Sequence, residues 1–187
     1  MNTVIQFNIF QRVRQISFLP LFILTLFVMV VMNLVGAPLT TTTAPAGIVS
    51  YELAGSVEKT TEIINSWDLN AQLHAAFSLG FDFIFILLYI LTIMFACSWA
   101  GERISVAYWP MAHAAKIVGA GILVAGIFDM VENANLIKIL FGPISALYPQ
   151  IAALCAVIKF FLVGIGLLYA IYGGIAWLWY LRKRSRR

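Results

Sequence analysis

Four long apolar blocks, Ile16–Gly36, Ala75–Cys97, Ile117–Ile137 and Ile151–Leu181, constrain this chain more than any other feature. Each reaches the roughly 20 residues that an α-helix needs to cross the hydrocarbon core of a bilayer. A soluble domain cannot hide them: 62% of the 187 residues are hydrophobic and 11% charged, where a soluble fold carries about a quarter charged. In lipid a spanning segment must satisfy its own backbone polar groups, so each block is expected to be a helix. The reading is an all-α integral membrane protein, a four-transmembrane-helix bundle forming one membrane domain over 1–187. Its helices cover about 16–36, 75–98, 115–140 and 151–181, with a long outer loop over 37–74.

Charge sets the expected orientation. Arg12 and Arg14 precede the first block, and Arg182, Lys183, Arg184, Arg186 and Arg187 follow the last. The loop after the first block carries Glu52, Glu58, Glu62 and Asp68 against Lys59, a balance of −3. The positive-inside rule then puts both termini in the cytoplasm and the acidic loop outside a cell inner or plasma membrane. The first block is read as a retained helix, because its apolar core is long and Pro38 would directly follow a cut after Ala37. The net charge of +4 does not point to nucleic acid. Its basic tail abuts a membrane helix, where it favours anionic lipid headgroups.

Local signals fill in the rest. Residues 1–15 mix apolar and polar types and are read as a short interfacial helix. In the first block, Thr25, Met29, Met32 and Asn33 fall near one packing face. Pro38 to Pro45, PLTTTTAP, opposes helix, and Ile48–Ala54 forms either a short strand or a helical turn. Ser56 is placed to cap a surface helix running to about Trp67, whose Val57, Thr60, Ile63, Ile64 and Trp67 share an apolar face. Asp68 is placed to cap the second spanning helix. Trp99, Tyr108, Trp109, Trp177, Trp179 and Tyr180 suit an inner headgroup zone, where Glu102, Arg103 and Lys116 are expected to be solvated. Gly142-Pro143 stops the third helix, so the third and fourth are antiparallel neighbours.

Within the third block, AGIFDMVEN at 125–133 sets Asp129, Glu132 and Asn133 within about one helical turn. Charges in hydrocarbon cost several kcal/mol unless paired, and mark function by default. Counted inward from the expected helix ends at about 1.5 Å per residue, Asp82 lies about 10 Å deep, Lys159 about 12 Å, Glu132 about 13 Å and Asp129 about 18 Å. Gly119, Ile122, Gly126, Asp129 and Asn133 share a stripe, as do Ala152, Cys155, Lys159, Gly166 and Gly173. Small residues beside the charges turn those faces toward other helices. Lys159 is therefore expected to pair with Asp129, Glu132 or Asp82 in an outer-half cavity, with Ser78, Tyr89 and His74 as accessory groups. Three acids and one base would carry −2 if all were ionised, so a proton or a bound cation is implied.

These residues point to a protein that binds a small ligand, ion or proton, as a transporter-like, channel-like or sensor component acting as a homo-oligomer or with a membrane partner subunit. The alternatives are a membrane-embedded enzyme on a lipid or isoprenoid, with Asp129 or Glu132 as general acid or base, and a non-catalytic assembly subunit. No cofactor and no metal are expected. His74 and His113 fall at opposite membrane faces and there is no HxxxH or HExxH. Cys97 and Cys155 fall in opposite leaflets, without a CxxC. No GxSxG elbow is present either.

Overall fold

The computed structural model describes the backbone of residues 2–143 and 145–186, and the side chains of 17–143 and 145–186. Among these residues the structure is helical throughout, without strands: α1 (Asn2–Gly36), a 3-10 turn (Ala37–Leu39), α2 (Ile48–Glu52), α3 (Val57–Ser66), α4 (Leu69–Val106), α5 (Ala114–Phe141) and α6 (Leu147–Ser185). Four segments are long and apolar enough to cross a membrane: Ser17–Leu39, Leu69–Val106, Ala114–Phe141 and Leu147–Ser185.

Three expectations are corrected. The N-terminal residues do not form a separate helix but continue α1, which runs through Pro20; the side chains assigned to its interfacial stripe lie outside the described residues. Asp68 caps α4 as expected, accepting a hydrogen bond from the Ala71 amide at 2.7 Å, so the helix starts at Leu69 and extends beyond the span expected from about 75. The buried stripe of α1 is Thr25 and Val28, while Met29 and Asn33 face outward. That stripe meets α4 through a buried hydrogen bond of 2.8 Å between the Thr25 and Thr92 hydroxyls.

Helices α4, α5 and α6 form the tightly packed part of the bundle. Gly126 faces Ile90 and Ile86 of α4, Gly166 faces Ile122 and Ile93, and Gly173 lies on the backbone of Ala100. Three of the four glycines in the two expected stripes therefore permit close approach; around Gly119 the space is open. The α4–α5 connector is held by Tyr169, which donates to the carbonyls of Met111 and Ala112, and by Tyr172, which donates to that of Pro110. The bundle thus has a loop end, carrying residues 37–68, and a terminal end, carrying both termini.

The loop is a folded cap. Ser56 accepts from the Lys59 amide at 3.2 Å and starts α3, whose Thr60 and Ile63 are buried together with Trp67 just beyond it. The segment 48–54, compatible by sequence with either a strand or a helical turn, contains the short helix α2. Tyr51, Ile63, Trp67 and Leu39 pack on Ala71, Ala75, Leu79, Leu136, Ile139 and Ala152 of the long helices. The Trp67 indole donates to the Leu39 carbonyl at 2.9 Å, and the Tyr51 hydroxyl to the Leu136 carbonyl at 3.0 Å. Each apolar side chain buried this way contributes roughly 1.5–3 kcal/mol, so this cap is part of the core.

Candidate functional site: an intramembrane lysine with three acidic partners

Helices α5 and α6 cross so that Asp129, Glu132 and Lys159 meet. The Lys159 ammonium donates to Asp129 Oδ1 at 2.8 Å and to Glu132 Oε1 at 2.9 Å. Asp129 retains 4% exposure, Glu132 0% and Lys159 7%, so none of the three has bulk water as a partner. Gly166 of α6, which faces Ile122 of α5, lets the two helices come this close. From α4, Tyr89 donates its hydroxyl to Asp129 Oδ2 at 3.0 Å.

Of the three acids offered as alternatives for Lys159, Asp129 and Glu132 lie against it and Asp82 does not. Asp82 instead accepts a hydrogen bond from the side-chain amide of Asn133. With α4 starting at Leu69, Asp82 lies about 20 Å along that helix, and Asn133 is its nearest partner across the α4–α5 seam. Ser78 is buried one turn away, its hydroxyl oxygen without a hydrogen-bond partner. His74 does not join the cluster. Its Nδ1 donates to the Val35 carbonyl at 2.8 Å, tying the first turns of α4 to the last turn of α1.

The third acid on the lysine is one that sequence reasoning missed. Glu52, at the end of α2, brings Oε2 to 3.5 Å from Lys159 Nζ and is itself buried. By sequence it counts with the acidic surface of the loop. Burial raises the proton affinity of Glu52 above that of an ordinary carboxyl, the Lys159 ammonium opposes this, and the Asp129 carboxylate adds to it. A signal for its placement does exist: the short apolar run IVSYELA is bracketed by Gly47 and Gly55, both of which adopt positive φ, at +58° and +70°. The chain turns sharply at each.

With Glu52 included, four carboxyls stand against one ammonium, a net −3 if all were ionised. Glu132 Oε2 is buried without a hydrogen-bond partner, whereas Glu52 Oε2, which forms no hydrogen bond either, has the Lys159 ammonium as its ion-pair partner. Among the described residues, no group of three or more His, Cys, Asp and Glu side chains has the geometry to hold a metal ion.

At the terminal end, Arg103 departs from the solvated placement expected of it. Its guanidinium lies 4.1 Å from the Trp177 ring centroid and 5.5 Å from that of Trp99, and its Nε is buried without an acceptor. Lys116 is exposed, as expected. Cys97 and Cys155 are both free and buried.

Four apolar helices around a lysine with three acidic partners define a multi-pass membrane protein with an intramembrane charged cluster. Compared with protein-family models, with curated proteins and with solved structures, the chain matches none.

Proposed function

We propose that this membrane protein binds a proton, or a small cation in its place, at the Glu52–Asp129–Glu132–Lys159 cluster, as a transporter-like, channel-like or sensor component. The observation that carries this reading is the fully buried Glu132 Oε2, which has no hydrogen-bond partner in a cluster with more carboxyls than cations. A cluster serving only to fix helix register gains nothing from an unsatisfied acceptor, since more than about nine in ten buried polar groups have partners. A proton on that oxygen converts an acceptor into a donor and lowers the excess negative charge in one step. The enzyme reading is less favoured, because Asp129 and Glu132 are buried and engaged with Lys159 and present no open face to a lipid substrate.

The orientation that fits this reading puts the terminal end in the cytoplasm of an inner or plasma membrane, by the excess of basic residues there. The tail from Arg182 to Arg187 then lies against anionic headgroups. A pathway is hard to build from four helices alone, so transport would require a second copy or a partner subunit.

Infrared difference spectroscopy of the protein in lipid nanodiscs, taken between acid and alkaline buffer, tests the reading. A protonated-carboxyl band that titrates and is lost in Glu132→Gln is the expected result. If the only carboxyl signals are those of exposed acids, unchanged by Glu132→Gln, the proton-binding reading fails.

A further inference from the structure

Resting on the proton-binding reading, we infer that Glu52 is the proton-uptake residue of the cluster, carried on a strap from Gly47 to Gly55 that passes protons from the loop-side solution to Glu132. Four observations converge on this. First, Glu52 is the most exposed acid of the Lys159 shell: its side chain keeps 11% of its surface accessible, against 6% for Asp129 and 0% for Glu132. A proton from water meets Glu52 before it can meet the other two. Second, Glu52 and Glu132 contact the same ammonium, at 3.5 and 2.9 Å, which bounds the distance between them. Third, Glu132 Oε2 is buried without a hydrogen-bond partner, so a proton delivered there satisfies it.

Fourth, the strap is a separate short element, seated on the long helices by the buried Tyr51 and Ala54. Positive φ at Gly47 and Gly55 marks both of its ends, and α2 between them is only Ile48–Glu52. Its polar ties to the long helices are the Tyr51 hydroxyl on the Leu136 carbonyl and the Glu52 carboxylate at Lys159. The other three acids and the lysine ride on long helices packed against one another. The charged groups that face Glu52 are Lys159 of α6 and Asp129 and Glu132 of α5, with Asp82 of α4 acting at longer range.

The step balances without a further reactant. A proton taken up on Glu52 is donated to the Glu132 carboxylate; Glu52 returns to its anionic form beside Lys159, and Glu132 becomes the neutral acid. The reverse order releases a proton to the loop side.

A pH jump followed by time-resolved infrared absorption, on the full chain in phosphatidylcholine nanodiscs, reads the rate at which the Glu132 carboxyl band appears. Glu52→Gln keeps the size and hydrogen-bonding shape of the side chain but cannot carry the proton. It is expected to slow the appearance of the band by at least about tenfold while leaving its final amplitude near the parent value. Tyr51→Phe removes the strap's hydrogen bond to Leu136 without touching a carboxyl and is expected to quicken the band. Should Glu52→Gln not fold, Tyr51→Phe decides alone. Parent-like rates in the folded variants overturn the uptake role of Glu52 and leave the proton site standing. A parent protein with no titrating Glu132 band overturns the proton reading itself, and the uptake role with it.

Discussion

At the loop end of the bundle the helices are joined through ions and hydrogen bonds, whereas toward the terminal end they are joined by glycine, alanine and aromatic rings. Lys159 gathers acids from α2 and α5, and Asp82 meets Asn133 across the α4–α5 seam. Farther along, Gly166 and Gly173 of α6 lie against Ile122, Ile93 and Ala100, and Trp109 packs on Tyr172 and Trp179 with ring centroids 5.4 and 5.8 Å apart. The two kinds of joint respond differently to their surroundings. A backbone-on-backbone contact has one close-packed arrangement and no titratable part. A cluster with more carboxyls than cations has several protonation states close in energy. On the proton-binding reading, the terminal half is the fixed reference against which the loop half changes state.

The sharpest way to break this comparison is to remove the cation. Lys159→Met leaves Asp129, Glu132 and Glu52 buried without their shared donor, and breaking a buried pair from one side typically costs about 3–5 kcal/mol. Unfolding in mixed micelles should register this as a larger loss than any other single substitution in the bundle. Adding Asp129→Asn should return part of the loss, because one stranded carboxylate is gone. If the two substitutions instead add to within about 0.5 kcal/mol, the residues do not act as a coupled unit.

Next in size is the terminal joint. A Cβ at position 173 would run into the Cβ, Cα and carbonyl carbon of Ala100, atoms that cannot turn aside. Gly173→Ala should cost about 1–3 kcal/mol from overpacking, by an amount that does not vary with pH. Gly119→Ala, which meets nothing within 4 Å, should be close to neutral in the same unfolding measurement. Equal losses at 119 and 173 would remove close packing as the explanation.

Most of the architecture was legible because it is written in length and in single polar atoms. Spans must be long to cross lipid, and Ser56 and Asp68 mark helix starts through one side-chain oxygen each. Asp129, Glu132 and Lys159 could be brought together by depth and helical face because they ride on long, regular helices. Neither measure applies to Glu52, since a residue in a connecting segment has no depth until the fold of that segment is known. The hydrogen bond between Asp82 and Asn133 depends on how α4 is rotated against α5, which depth along a helix does not give. Arg103 reads as solvated in the sequence because charge alone does not reveal that Trp99 and Trp177 flank it.

A smaller effect comes from the titration of Glu52, and it separates the two joints by their response to acid. Its proton affinity in the fold exceeds the ordinary value of 4.5, chiefly through burial. Between pH 4.5 and the raised value the folded chain holds a proton that the unfolded chain has released. Stability then falls as pH rises through that window and levels off above it. Glu52→Gln should flatten this part of the stability–pH curve, whereas Gly173→Ala should shift the whole curve down without changing its slope. A slope that survives in Glu52→Gln would assign the titration to another carboxyl of the cluster.

The smallest expected effect lies at the attachment of α1, which resembles neither joint. Thr25 and Thr92 share one neutral hydrogen bond of 2.8 Å, and the Thr25 hydroxyl also bonds to the Leu21 carbonyl of its own helix at 2.8 Å. Thr92→Val therefore strands no donor, and bonds of this kind between membrane helices are worth about 0.6 kcal/mol on average. A loss near that size, independent of pH, would show that a neutral polar tie behaves like the small-residue packing. A loss approaching that of Lys159→Met would mean that hydrogen bonding in the apolar surroundings of the bundle, rather than uncompensated charge, dominates the loop end. Comparing Thr92→Val with Lys159→Met in the same micelles thus tests whether charge is what distinguishes the two halves.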